Sequence, residues 1–278
     1  SVIWSGCYGG LINRWDRTTD VRRNVNLYPE NQDRAPKDLR NRFQWVAPIV
    51  MDPLDSNTVY HASQYVHRTT DGGMTWETIS PDLTTDTPEH QEYPGGPIHA
   101  DHTGVEVFNT IFSLVPSPHE RGTLWVGSDD GLVHITRDHG ATWEDITPPD
   151  MPRYGTVNRI DISPHEPGRA FLAVHRYRED DWRPYVFRTK DYGESWDLLT
   201  DGMNGIPEDH WVRVVREDDV QRGLLYAGTE FGLFVSFDDG AHWQPLQMNL
   251  PVTPIMDLKV HPLGDLAVAT QGRSFWVL

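Results

Sequence analysis

The run Arg176-Tyr177-Arg178-Glu179-Asp180-Asp181-Trp182-Arg183 gathers more groups able to do chemistry than any other stretch of the chain. Paired carboxylates beside an aromatic ring and guanidinium groups are what a sugar site uses: acids for proton transfer or nucleophilic attack, a ring for stacking. Asp180 and Asp181 are the candidate acids, with Glu106 a further carboxylate; Trp182 and Arg178 are candidate ligand contacts. The same eight residues would also make an ordinary exposed hairpin loop. A second group is His99, Asp101 and His102, where two imidazoles at i and i+3 flank a carboxylate and offer donors that a transition metal accepts. That spacing matches no zinc motif, and a solvated polar loop accounts for it, so neither metal nor cofactor is expected. A third is a set of arginines, Arg159 and Arg213 in strand-like runs, Arg42 just before one and Arg273 after one. Converging arginines bind carboxylates bidentately; salt bridges within the fold are the alternative. No Gly-x-Ser-x-Gly elbow and no Gly-rich loop with a phosphate-binding Lys occurs.

Composition narrows the partners. The 278 residues carry 24 Lys and Arg against 41 Asp and Glu, a net charge of −17. Such a surface argues against nucleic acid and anionic membranes, which need a basic face. Cys7 is the only cysteine, so no internal disulfide and no cysteine-based zinc site can form. No apolar run approaches the ~20 residues that span a bilayer.

The elements that must position these groups are set by a repeat. Thr69-Thr70-Asp71-Gly72-Gly73-Met74-Thr75-Trp76 recurs as Thr136–Trp143, Thr189–Trp196 and Ser236–Trp243. The shared pattern is Ser/Thr-x-Asp-x-Gly-x-Thr/Ser-Trp, with His242 breaking the seventh position. Its invariant members are Asp71, Gly73 and Trp76; Asp138, Gly140 and Trp143; Asp191, Gly193 and Trp196; and Asp238, Gly240 and Trp243. Asp closes an Asx-turn, Gly takes a positive φ, and Trp offers a large apolar surface to a neighbouring unit. Apolar runs flank every copy, so each is strand, turn, strand, and a repeat in register predicts an array of similar units.

Each unit opens with an apolar strand, as in residues 46–51, 110–115, 157–162 and 211–215. A small-residue strand follows, such as Leu124-Trp125-Val126-Gly127-Ser128 or Leu225-Tyr226-Ala227-Gly228-Thr229, whose Ala and Gly fit crowding near an axis. Residues 1–30 hold three strand-like runs (2–8, 11–15 and 24–28) without the octamer, and 31–42 read as a connecting loop or one helical turn. The intervals between the octamer aspartates are 67, 53 and 47 residues. The excess falls in 81–106 and 176–184, and insertions that exceed a repeat map to loops, often on the binding face.

The octamer resembles the Asp-box, or BNR repeat, of sialidases, xyloglucanases and sortilin ectodomains, and the resemblance covers the chain from about residue 43. Phe43 onward is also similar to the C-terminal propeller part of large exported bacterial proteins of the BNR-repeat, glycosyl hydrolase-like kind. The resemblance implies an all-β fold: a β-propeller of about five four-stranded blades plus partial terminal units, itself part of a larger or tandem propeller. It divides the chain into a degenerate N-terminal blade and connector (1–42), Asp-box blades (43–251) and an incomplete last blade (252–278). It implies an extracytoplasmic protein, and it makes the octamer a structural turn away from the binding face. Sialidase signatures depart: the Phe/Tyr-Arg-Ile-Pro motif is missing, and no nucleophilic Tyr with a Glu partner can be assigned. The first expected function is therefore a non-catalytic recognition or scaffold propeller that binds a protein or glycan on its loop face. The second is a glycoside hydrolase of the sialidase or xyloglucanase type using two carboxylates. Both ends of the sequence fall inside strands, so the rest of its own polypeptide, or a partner subunit, is expected to complete the propeller.

Overall fold

The computed structural model describes residues 1–28, 34–93, 99 and 107–278. It comprises two compact units, Ser1–Asp145 and Ile146–Leu278. Each is built from antiparallel sheets whose strands follow one another in chain order.

In the first unit, the first sheet has three strands: β1 (Val2–Cys7), β2 (Leu11–Asp16) and β3 (Val21–Asn24). The second has four: β4 (Ile49–Asp52), β5 (Asp55–Ala62), β6 (Val66–Thr69) and β7 (Glu77–Thr78). The third has β8 (Ile111–Pro116), β9 (Leu124–Ser128), β10 (Val133–Thr136) and β11 (Glu144–Asp145).

In the second unit, the fourth sheet has β12 (Thr156–Ile162), β13 (Ala170–Arg176), β14 (Asp181–Thr189) and β15 (Asp197–Leu198). The fifth has β16 (Val212–Glu217), β17 (Leu225–Thr229), β18 (Leu233–Ser236) and β19 (Gln244–Pro245). The sixth has β20 (Ile255–Val260), β21 (Leu266–Thr270) and β22 (Phe275–Val277).

The strand pattern follows burial. Second strands are covered on both faces: every residue of β9 is buried, and so are six of the seven in β13. A continuous apolar run is the sequence form of such a strand. One small residue there, Gly228, leaves room both for its own sheet and for the next. A Cβ on Gly228 of β17 would come within 2.6 Å of Ile255 in β20. Fourth strands are two residues long and exposed, which keeps the sheet edges short.

The octamer joins the third strand to the fourth and locks each four-stranded sheet to the chain just before it. Trp76 Nε1 donates to the Val25 carbonyl at 2.9 Å, Trp143 to Ile79 at 2.8 Å, Trp196 to Ile146 at 2.7 Å and Trp243 to Leu199 at 3.1 Å. The octamer glycine lies against the same partner residue. A Cβ on Gly193 would sit 2.7 Å from the Ile146 Cβ, and φ there is +92°. Val25 thus stands where Ile79, Ile146 and Leu199 stand, one residue beyond a fourth strand. The first sheet accordingly supplies second, third and fourth strands, and the sixth supplies first, second and third.

Two expectations need correcting. The sequence pattern puts the third strand-like run at 24–28, whereas β3 ends at Asn24. Asp20, at φ 54°, accepts from Trp15 Nε1 at 2.8 Å and closes a tighter turn, bringing the strand in earlier. Residues 176–184 are not an inserted loop. β13 and β14 simply run on, paired up to Arg176 and Asp181, with one 3-10 turn (Tyr177–Glu179) between them.

Candidate functional site

The extended β13–β14 hairpin organises an open cleft of about 660 Å³. At its floor Asp181 is buried. Oδ1 accepts from Arg183 Nε at 2.9 Å, and Oδ2 accepts from Arg183 Nη2 at 2.8 Å and from the Tyr185 hydroxyl at 2.8 Å. Arg176 Nη1 adds a cation at 3.5 Å. The alternation along a strand puts residues 181, 183 and 185 on one face. Hydrogen bonds from Arg183 above all, then from Tyr185, hold the Asp181 carboxyl well below the usual carboxylate range. Burial, reinforced by Asp181, pushes the Tyr185 phenol up to about 12. Asp181 is therefore a fixed anion with its lone pairs occupied, unlike a general acid, which must hold a proton near neutral pH.

Its neighbours are arranged differently. Asp180 is exposed in the left-handed region at φ 57° and accepts from Trp182 Nε1 at 3.1 Å. The Trp182 ring, 44% exposed, lines the cleft. Across from them stand Glu208 and Asp209, from the segment between β15 and β16. Asp209 accepts from His210 Nδ1 at 2.7 Å. With Glu179 and Asp180 they make the cleft acidic, since Asp181 is neutralised by its arginines.

An aromatic group builds up the same hairpin. Tyr177 stacks on Trp211 with centroids 4.4 Å apart and 21° between planes, and the His175 ring lies 5.1 Å from Trp211. Arg213 covers the Trp211 ring at 4.1 Å, and Arg178 covers Tyr177 at 5.3 Å. Burial, with Arg178 and Arg213 nearby, lowers His175 to about 3, so its imidazole is neutral.

The candidate arginines prove to be unlike one another. A register irregularity recurs near the start of the first strands, at 111/113, 157/159, 212/214 and 255/257. Arg213 and Asn158 occupy the extra position, where a bulge re-aims the side chain. Arg159 matches Val214 and Asp257 instead, so Arg159 and Arg213 are not equivalent. Arg213 pairs with Glu230 at 2.8 Å. Arg159 pairs with Asp257 at 2.6 Å, and Arg216 bridges Asp161 at 2.7 Å and Asp257 at 3.1 Å. Arg42 is buried against Asp82 at 2.7 Å and Asp86 at 3.1 Å. Arg273 is exposed. Arg42, Arg159 and Arg213 therefore each carry a carboxylate partner already.

His99 is exposed, whereas Asp101, His102 and Glu106 lie outside the described residues. Among the described residues no cluster of three or more His, Cys, Asp or Glu could hold a metal. A serine does meet a histidine, Ser63 Oγ to His67 Nε2 at 2.9 Å. Both residues are buried, His67 is lowered to about 3 by burial, and its Nδ1 faces the Thr78 hydroxyl, not an acid. Sequence reasoning included Tyr177 in its candidate run but missed His175, Trp211, Glu208 and Asp209. Only the strand pairing joins them, although the acidic pair Glu208-Asp209 echoes Glu179-Asp180.

No protein-family profile and no curated protein matches the chain. Solved structures do. YCF48 from Cyanidioschyzon merolae superposes with a TM-score of 0.65 at 14% identity, over 99% of this chain and 78% of that one. YCF48 bound to D1 peptide gives 0.52 at 18% identity, over 85% of this chain and 66% of that one. An ancestral GH74 enzyme gives 0.60 at 19% identity, over 83% of this chain and 28% of the enzyme. The extracellular domain of BT4673 from B. thetaiotaomicron gives 0.61 at 13% identity, over 100% of this chain and 31% of that one. The fold is that of a β-propeller. The chain spans less than a third of the GH74 enzyme and of the BT4673 domain. As in other propeller folds, each four-stranded sheet is one blade.

Proposed function

We propose that this chain is a non-catalytic recognition propeller of an extracytoplasmic protein, and that it binds a protein or glycan segment in the hairpin cleft. Its octamers serve as Asp-boxes, the structural turns of the BNR-repeat kind. The observation that carries the reading is the state of Asp181. Its oxygens are committed to Arg183 and Tyr185, so the most buried acid of the cleft is a strut for the hairpin that presents Trp182. An exposed indole at the mouth of an open cleft supplies contact area for a peptide or a sugar ring at low entropic cost. Two neighbours agree with this: YCF48 is seen bound to a peptide, and the BT4673 match is an extracellular domain.

The second reading, a glycoside hydrolase, draws on the GH74 neighbour and on Glu179, Asp180, Glu208 and Asp209 lining one cleft. Sialosides, β-glucans and a library of short peptides, presented to the protein, would separate the two. Binding that Trp182→Ala removes, with no turnover, supports the recognition module. Turnover of a glycan that Asp180→Asn or Glu208→Gln eliminates would replace it with the hydrolase.

A further inference from the structure

The four octamers differ at their fourth position, and the difference opens a second site in the first unit that does not depend on the hairpin cleft. Gly72, His139, Tyr192 and Asp239 stand there, with φ of 75°, 64°, 61° and 64°. The last three lie over a glycine of the turn that joins first and second strands: Gly122, Gly168 and Gly223. Each donates its backbone N–H to that glycine's carbonyl, at 3.0, 2.9 and 3.0 Å. In the second sheet the residues are exchanged. Asn57-Thr58-Val59-Tyr60 matches Gly122-Thr123-Leu124-Trp125, so Asn57 takes the place of the turn glycine. Gly72 has no side chain with which to close the gap.

A cleft of about 570 Å³ results, walled by Trp4, Met51 and Val59 and by the polar Ser56 and Asn57. Arg14 lines it, running along Gly72 so closely that a Cβ there would sit 3.2 Å from Nε. Among the described residues the Arg14 side chain makes no hydrogen bond or ion pair, and its Nε is buried without a partner. Leaving a partly desolvated guanidinium unpaired is costly, and its planar fork fits a carboxylate. Asp71 also lines the cleft, but its oxygens are spent on the turn. Oδ1 accepts from Thr69 Oγ1 and from the Met74 and Thr75 N–H groups, and Oδ2 accepts from Thr75 Oγ1.

We propose that this cleft binds a small organic carboxylate. The acid group pairs with Arg14, and the rest of the molecule lies on Trp4 and Met51. Two sources share that chemistry, an acidic sugar and an acylated amino acid. Titration calorimetry and ligand-observed NMR on the protein would use D-glucuronate and N-acetyl-L-leucine, with methyl glucoside and N-acetyl-L-leucine amide as neutral counterparts. At least one acid should bind while its neutral counterpart does not, and the one that binds names the source. Arg14→Gln should weaken binding roughly tenfold or more, as loss of a charge-assisted contact does. Gly72→His restores the side chain that the second octamer carries at a similar φ, and it should block binding at the cost of a lower melting temperature, because φ there is +75° and Arg14 must shift. Failure of both acids to bind overturns the proposal, as does equal binding to Arg14→Gln. If Gly72→His does not fold, the Arg14→Gln result alone decides.

Discussion

At one end of each four-stranded sheet the chain turns through an octamer; at the other end the second strand turns back to the third, and no two of those turns are alike. The octamer aspartates are saturated. In all four the aspartate Oδ1 accepts from the N–H four residues on and from the hydroxyl two residues before, while Oδ2 takes the side chain at the seventh position. Even His242, which breaks the pattern, donates Nδ1 to Asp238 at 2.7 Å. The opposite ends run from the short Thr229–Gly232 turn, bonded within itself, to the long β13–β14 hairpin with its open cleft. Turns that share these saturated polar groups hold each sheet to the chain just before it. Variable turns with unspent acids and an exposed Trp leave groups over for a ligand.

The largest test of this contrast is Trp143→Ala. The indole packs against the core of Tyr60, Leu83, Ile111 and Leu114 and donates to Ile79. Its removal should cost about 3–5 kcal/mol in denaturant unfolding. A midpoint equal to wild type would mean that the octamer Trp does not join the sheets.

Next comes a matched pair of glycines. Gly193 (φ +92°) and Gly264 (φ +97°) pay the same backbone strain on substitution, but only Gly193 faces a neighbour. Gly193→Ala should therefore cost about 1–3 kcal/mol more than Gly264→Ala, which is the overpacking against Ile146. Equal costs would reduce the octamer glycine to a conformational requirement and remove close packing from the account.

Asp181→Asn probes the other end. It leaves Arg183 and Arg176 without their anion, but Arg183 can reach water, so the expected loss is about 2 kcal/mol. A neutral outcome would show that the hairpin needs no strut.

Acid separates the two ends further. Backbone and side-chain hydrogen bonds from Thr75, and likewise from Thr142, hold Asp71 and Asp138 at about 2 against an ordinary 3.8. Their contribution is complete above pH 3.8 and is lost as pH falls through 2. Burial holds His175 near 3 against an ordinary 6.5, so the unfolded chain takes up that proton first. Stability from the neutral ring is complete above pH 6.5 and drains away down to about pH 3. His175→Phe should flatten the upper part of a stability–pH curve, and Asp138→Asn the lower part.

These contrasts also mark what could be read from the chain. The octamers were legible because all the polar partners of their Asp lie within four residues of it, so local pattern and three-dimensional contact coincide. The hairpin was misread as an insertion because its length was judged against the repeat. The cue it did carry, Asp181, Arg183 and Tyr185 on alternate residues of one strand, was passed over. Arg159 and Arg213 looked equivalent because a one-residue bulge leaves no mark in sequence. Trp211 and Glu208-Asp209 meet the hairpin only through the pairing of whole sheets, which no local signal encodes.

The smallest expected change in stability comes from the same residue type as the largest. Trp182→Ala removes an indole whose polar contact among the described residues is Asp180, itself exposed. Among the described residues no hydrophobic core cluster includes it, and its ring already meets water. The substitution should shift unfolding by less than about 0.5 kcal/mol. Binding of whichever peptide or glycan occupies the cleft should nonetheless disappear, because contact area at an interface concentrates in a few aromatic anchors. Trp143 and Trp182 would then be opposites, one spent on the fold and the other held for a ligand. A stability loss at Trp182 comparable to that at Trp143 would place its ring inside the fold and remove the main support for a recognition cleft.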